Sequence, residues 1–247
     1  MRTDRIKVDG VLFDIDDTLV DTRSAFAHAL GAVARRYLPD VGPERDLDVL
    51  AHWRADVEGH YSAYTRGDES YQEQRMSRAN ALHSAFGGPE LDDAGYDAWN
   101  LLFEERFVGA WAPHDDASSA VDRLLAAGIV IGALSNASVA YQTRKLARVG
   151  LVDRVPMLVG VDTLGVGKPD PRVFIEACRL LGTSPARTAY VGDELDVDAW
   201  AARDAGLVGV WIDRPGGRRN GLPAAHERSP GVVVVRSLTE LAEVVEV

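Results

Sequence analysis

Cysteine is all but missing from this chain: Cys178 is the single one in 247 residues. A lone cysteine rules out an internal disulfide and a cysteine-built zinc site, and it suits a reducing compartment, so the expected location is cytoplasmic. The 6 histidines, His28, His52, His60, His83, His114 and His226, are scattered without metal-ligand spacing and read as structural or surface residues. Positive charge is short as well. With 27 Lys and Arg against 38 Asp and Glu, the net charge is -11, and no basic stripe is left to displace counterions from a nucleic acid. A small phosphorylated metabolite is a different matter, since a few local cations suffice to meet it. No apolar run is long enough to span a membrane. The charged opening, Met1-Arg2-Thr3-Asp4-Arg5-Ile6-Lys7, is not followed by the apolar stretch of a signal peptide.

What is present belongs to a folded, soluble protein: 46% of residues are hydrophobic and 26% charged, enough of each for a sizeable core under a solvated surface. The length lies between one and two ordinary domains and suggests a core with an insert. Residues 8–14 read as a short buried strand. From Asp21 the texture turns helical, with capping residues ahead of an Ala-rich run that Pro39 stops. Residues 47–64, 70–86 and 93–108 continue as helices, separated by Arg66-Gly67-Asp68 and Gly87-Gly88-Pro89. After Pro113, helices and short apolar strands alternate. Strands are expected at 129–134, 157–160, 188–191, 207–212 and 232–235, with helices at 117–127, 139–149, 172–181 and 197–205. Repeated βα units specify an α/β fold with a parallel sheet and helices on both faces, and its ligands bind at the carboxyl ends of the strands. The expected division is a Rossmann-like core at 1–20 and 111–247 and an all-helical insert at 21–110.

Four clusters then meet at one edge of that sheet: Asp14 with Asp16, Ser135 with Asn136, Lys168, and Asp193 with Asp198. Were the first strand to continue, Asp14 and Asp16 would project from the same face. Carboxylates so close need a cation or a shared proton. The set suits phosphoryl transfer. A carboxylate can attack phosphorus, provided the site supplies positive charge to bring two anions together. Lys168 and Mg²⁺ would do so, the metal taking Asp14, Asp193 and a backbone carbonyl. The Ser135 hydroxyl and neighbouring N–H groups would bond the phosphoryl oxygens.

These segments resemble the haloacid dehalogenase superfamily, in the branch with a helical cap inserted after the first motif. The matching segments are Asp14-Ile15-Asp16-Asp17-Thr18-Leu19-Val20, Leu134-Ser135-Asn136, Gly167-Lys168-Pro169 and Gly192-Asp193-Glu194-Leu195-Asp196-Val197-Asp198, with Ala205-Gly206 following. The resemblance implies that Asp14 is the nucleophile and that Asp16 protonates the leaving group and then activates water. It further implies that Thr18 holds the Asp16 loop, that Ser135, Asn136 and Lys168 bind the phosphate, and that Mg²⁺ is held by Asp14, Asp16 and Asp193. Asp198 would orient metal-bound water or Lys168. The cap would open for substrate and close for the first transfer. Dehalogenating members lack the second aspartate, so Asp16 favours a phosphatase. Glu194 and Asp196 depart from the family pattern, and Asp196 adds a carboxylate near the metal. The alternatives are a phosphomutase working on a sugar phosphate and a non-catalytic protein that binds a phosphorylated metabolite or a partner.

The remaining candidates have plainer readings. Cys178 sits in an apolar helix with nothing nearby to activate it and is expected in the core. Of Trp53, Trp99 and Trp111, two are expected in the core of the insert, leaving one to line a pocket. Arg214, Arg218 and Arg219 lie in a Gly/Pro-rich segment and are expected to be solvated.

Overall fold

A computed structural model describes residues 6–214 and 231–246. The chain forms two compact units, Met1–Asp21 with Pro113–Val247, and Thr22–Ala112. The first unit is built on strands β1 (Ile6–Lys7), β2 (Gly10–Phe13), β3 (Val130–Leu134), β4 (Met157–Val159), β5 (Thr188–Gly192), β6 (Val208–Ile212), β7 (Val233–Val235) and β8 (Val245–Glu246). Six of these make one sheet in the order β4-β3-β2-β5-β6-β7, and every pairing in it is parallel. β1 pairs with β8 in a separate two-stranded ribbon.

The apolar character of β2 is continuous because both faces of the sheet are covered. Val11 and Phe13 pack with Val121, Leu124, Leu146 and Leu238 on one side, while Leu12 packs with Phe174, Ala177 and Cys178 on the other. Cys178 is therefore a core residue, and burial raises its thiol pKa. After β2 the chain builds β3 and β4 on one side and then returns to place β5 on the other. The point where the order reverses lies between β2 and β5, and ligands of open α/β sheets bind there, beyond the carboxyl ends of the strands.

The second unit is all helical: α1 (Thr22–Tyr37), α2 (Asp46–Ala55), α3 (His60–Arg66), α4 (Tyr71–Phe86) and α5 (Asp93–Gly109). The single helix expected over 47–64 is broken, because Asp56 adopts the left-handed conformation (φ 45°) and its carboxylate accepts from the N–H groups of Tyr61 and Ser62 at the start of α3. All three tryptophans are buried, at 2% exposure for Trp53, 0% for Trp99 and 6% for Trp111. Trp99 stacks on Phe103 at 5.4 Å between centroids, and Trp53 stacks on both. Aromatic packing thus makes the core of this unit, and Trp53 also lines a cavity beside His52, Asp56 and Arg78.

The helices of the first unit are α6 (Ala117–Ala126), α7 (Val139–Arg148), α8 (Val161–Leu164), α9 (Pro171–Leu181), α10 (Ala201–Asp204) and α11 (Leu238–Val244). A π-helical turn at Leu195–Trp200 leads into α10, so the helix expected from residue 197 starts earlier and more loosely wound. Among the described residues no helix is long and apolar enough to cross a membrane.

Arg214 is not a solvated cation. It forks onto Asp116 at 3.1 and 2.8 Å and donates to the Thr18 carbonyl at 3.1 Å, and Asp116 also accepts from Leu238 N–H at 2.8 Å. Arg218, Arg219 and His226 lie outside the described residues.

β6 lies hard against the π-helical turn. A Cβ on Gly209 would run into the carbonyl oxygen of Ala199, a backbone atom that cannot swing aside. Gly209→Ala should cost about 1–3 kcal/mol, read as a lower urea midpoint at unchanged slope; an unchanged midpoint would contradict this packing.

Candidate active site

The register of the sheet sets the site. Phe13 pairs with Ala133 on one side and Val191 on the other, so Asp14, the next residue, emerges level with the ends of β3 and β5, beside Ser135 and Asp193. Its own N–H donates to the Val191 carbonyl at 2.8 Å. The strand stops at Phe13, and the chain then turns through Asp17, which is left-handed (φ 60°), with the N–H groups of Leu19 and Val20 closing back on the Ile15 carbonyl. The turn is held from outside by His114, whose Nε2 donates to the Asp17 carbonyl at 3.1 Å. Burial lowers the His114 pKa, consistent with a neutral ring making that bond.

Because the chain turns, Asp14 and Asp16 do not share a strand face as the alternation suggested. Each has a lysine of its own. The Lys168 ammonium donates to Asp14 Oδ1 at 2.7 Å, Asp198 Oδ1 at 2.7 Å and the Tyr190 hydroxyl at 2.8 Å. That uses all three of its hydrogens. The Tyr190 hydroxyl donates in turn to the Leu134 carbonyl at 3.0 Å. Asp16 instead pairs with Lys145 and accepts from Gln142 Nε2 at 2.6 Å.

Asn136, expected beside Ser135 at the phosphate, turns its amide to the third cluster. Its Oδ1 accepts from Lys168 N–H at 2.6 Å and its Nδ2 donates to the Lys168 carbonyl at 3.0 Å. It thereby fixes the backbone from which the Lys168 side chain extends. Ser135 Oγ accepts from Gln142 Nε2 at 2.8 Å and, at a long 3.4 Å, from Ala137 N–H. Thr18 serves the Asp16 loop through its carbonyl, which Arg214 binds; its buried hydroxyl has no hydrogen-bond partner among the described residues.

Carboxylate oxygens of Asp14, Asp193 and Asp198 lie within 4.8 Å of one another. Asp198 is placed there by the absence of a side chain on Gly192, where a Cβ would collide with its carboxylate, and by Glu194 N–H, which donates to its Oδ2 at 3.0 Å. Asp16 is not in this group because Lys145 and Gln142 hold its carboxylate, and Asp196 is exposed. Three carboxylates therefore face one ammonium.

The electrostatics reflect that imbalance. Burial raises the Asp14 carboxyl to about 8, with Lys168 opposing the rise and Asp198 and Asp16 adding to it. Asp193 is pushed well above the usual carboxylate range by burial first, then by Asp17, Glu194, Asp198 and Asp14. Burial works against the charge on Lys168, but Asp14 and Asp198 outweigh it and raise its pKa. An all-oxygen donor set with surplus negative charge fits a hard divalent cation.

Gln142, Lys145 and Tyr190 are the site residues that sequence reasoning missed. For the first two a signal exists. Gln142, Lys145 and Leu146 are the buried residues of α7, so two of the three inward positions of this helix are polar.

The comparisons with known proteins bear on this geometry. The family model of the haloacid dehalogenase-like hydrolases matches residues 8–206. The glyceraldehyde 3-phosphate phosphatase of Methanopyrus kandleri is 31% identical over 207 residues, covering 84% of each chain. The N-acetylmuramic acid 6-phosphate phosphatase of Pseudomonas aeruginosa is 28% identical, over 82% of this chain and 80% of its own. Among solved structures, the magnesium-bound HAD-hydrolase YfnB from Bacillus subtilis superposes with a TM-score of 0.75 at 21% identity, over 96% of this chain and 98% of its own. The L-2-haloacid dehalogenase of Xanthobacter autotrophicus gives 0.73 at 20% identity, over 96% and 97%, a likeness of fold. With its strand-end aspartates and buried lysine lying inside the matched span, this chain belongs to the haloacid dehalogenase-like hydrolases.

Proposed function

We propose that this protein is a Mg²⁺-dependent phosphatase of small phosphate monoesters that works through an aspartyl-phosphate on Asp14. The observation that carries the reading is the pairing of one buried ammonium, Lys168, with Asp14 and Asp198, while a second carboxylate, Asp16, stands apart on partners of its own. A nucleophile and an acid/base need different environments, and these two aspartates have them. The relatives named above and the phosphoglycolate phosphatase of Chromobacterium violaceum, 26% identical over 83% of this chain, act on small phosphorylated compounds, which supports the substrate class.

Lys168 works against the burial that favours a protonated Asp14, and the added charge of a bound divalent cation would favour the ionised nucleophile further. Mg²⁺ held by Asp14, Asp193 and Asp198 would supply the charge that lets an anionic phosphoryl group approach a carboxylate. Asp14 attacks phosphorus as the bond to the leaving oxygen breaks, and Asp16 gives that oxygen a proton. The Ser135 hydroxyl donates to a phosphoryl oxygen. Asp16 then takes a proton from the water that attacks the aspartyl-phosphate, inorganic phosphate leaves, and Asp14 is regenerated. The second aspartate sets this chemistry apart from halide displacement, where the leaving group needs no proton.

Phosphate release from a panel of sugar phosphates, phosphoglycolate and nucleoside monophosphates should require Mg²⁺ and stop with chelator. Asp14→Asn should lose roughly 10⁴-fold or more in kcat with the fold intact by circular dichroism; turnover retained in that variant would remove Asp14 as the nucleophile. Isomerisation of a sugar phosphate without net release would reveal a mutase instead.

The metal assignment has a readout apart from activity. Mg²⁺ should raise the thermal midpoint of the wild-type chain by mass action, and Asp193→Asn should abolish that shift. A shift that persists in Asp193→Asn would place the ion elsewhere.

A further inference from the structure

α7 begins at Val139 behind Ser138, whose Oγ accepts from Tyr141 N–H at 3.3 Å, and it turns Gln142 and Lys145 inward. Residues three apart lie on the same helix face, so the pair acts together. Lys145 is only 2% exposed. Burying a lysine costs side-chain entropy and hydration that a leucine at the same place would not, and the partner it meets there is Asp16.

Gln142 is completely buried, and its Nε2 has two hydrogen-bond partners: Asp16 Oδ2 at 2.6 Å and Ser135 Oγ at 2.8 Å. Both hydrogens of the amide are thereby used. With Nε2 against Asp16 Oδ2, the NH₂ end of the amide faces Asp16. The Oε1 end is left buried without a partner among the described residues, which costs stability. An amide chosen for stability alone would have both ends bonded. This one ties two reactive side chains from different strand ends to each other.

The consequence for those side chains follows from counting donors. Asp16 Oδ1 faces the Lys145 ammonium and Oδ2 the NH₂ group of Gln142, and both of these groups only donate. A proton carried by Asp16 has no acceptor in either of them and points outward, where 37% of the side chain is exposed. Ser135 Oγ already accepts from Gln142, so its own hydrogen is available to an anion.

We infer that Gln142 and Lys145 are positioning residues for leaving-group protonation, holding the Asp16 carboxyl and the Ser135 hydroxyl in fixed register at the reacting phosphoryl group. The inference rests on the proposed role of Asp16 as the acid. As the bond between phosphorus and the leaving oxygen breaks, the proton passes from Asp16 to that oxygen; Lys145 keeps its three hydrogens and Gln142 its two. In the second step Asp16 recovers a proton from water in the same fixed position.

The test uses the full chain with Mg²⁺ and a series of para-substituted phenyl phosphates of similar size, from p-nitrophenyl, whose leaving group needs no proton, to p-methylphenyl, whose leaving group does. Lys145→Met and Gln142→Leu should each lower kcat/KM, which reads the first transfer alone, by about 10²-fold on p-methylphenyl phosphate, within the range of general acid catalysis. On p-nitrophenyl phosphate the loss of kcat/KM should be under about tenfold. Lys145→Arg, which keeps the charge, should recover most of the p-methylphenyl rate.

Equal losses of kcat/KM along the series, or no loss of it on any member, would overturn the inference and leave the pair a structural role. Should Lys145→Met fail to fold, Gln142→Leu and Lys145→Arg carry the same comparison. Asp16→Asn is measured alongside. A steep leaving-group dependence in Asp16→Asn without one in the α7 variants overturns the inference alone. The absence of any such dependence in Asp16→Asn, or a wild-type chain inert to the whole series, overturns the reading on which it rests.

Discussion

The buried ammonium of Lys168 is the contact on which the site depends. It lies at 4% exposure between Asp14, Asp198 and the Tyr190 hydroxyl, so removing it would leave two carboxylates in low dielectric without a counter-charge. Several features of the fold are explained by the need to bring it there. The Asn136 amide grips both backbone groups of residue 168, joining segments 32 positions apart in the chain. Tyr190 faces the α9 side of the sheet and extends its hydroxyl up to the ammonium. Gly192 leaves room for Asp198 to come alongside.

The second constraint is that like charges must be kept apart. Two carboxylates only two residues apart would repel each other on a continued strand. The left-handed turn at Asp17 sends them to separate lysines, one reached from the loop before α9 and one from the inward face of α7. Two aspartates of identical chemistry thereby acquire different surroundings. A parallel sheet suits this arrangement because its strand ends are fixed in register while the loops that follow remain adjustable.

Much of this is legible in the sequence. Apolar runs ending in Asp14, Ser135 and Asp193 announce strand ends, and the alternation of helix and strand puts those ends on one edge. The break at Asp56 was less visible, because a left-handed aspartate leaves the apolar period around it intact. Asp16 was expected at the metal from the resemblance alone, and what spacing could not show is that the strand stops at Phe13 and that the Asp16 carboxylate meets Lys145 and Gln142. Lys145 and Gln142 escape notice for another reason. On a helix of Lys and Arg, a lysine at an inward position differs from a solvated one only in phase, and the phase can be read only once Leu146 is known to face the core. Tyr190 reads simply as a strand aromatic, and its polar tip becomes significant only when Lys168 is placed beside it.

The central claim is that Asp14 carries the phosphoryl group. Acyl phosphates are reduced by borohydride, whereas free carboxylates are not, so quenching a steady-state mixture of enzyme, Mg²⁺ and a turned-over phosphate ester into borohydride, followed by peptide mass mapping, reads the attachment point directly. The account expects reduction at position 14 alone, present with substrate and absent without it. Reduction at another carboxylate, or none during active turnover, would contradict it.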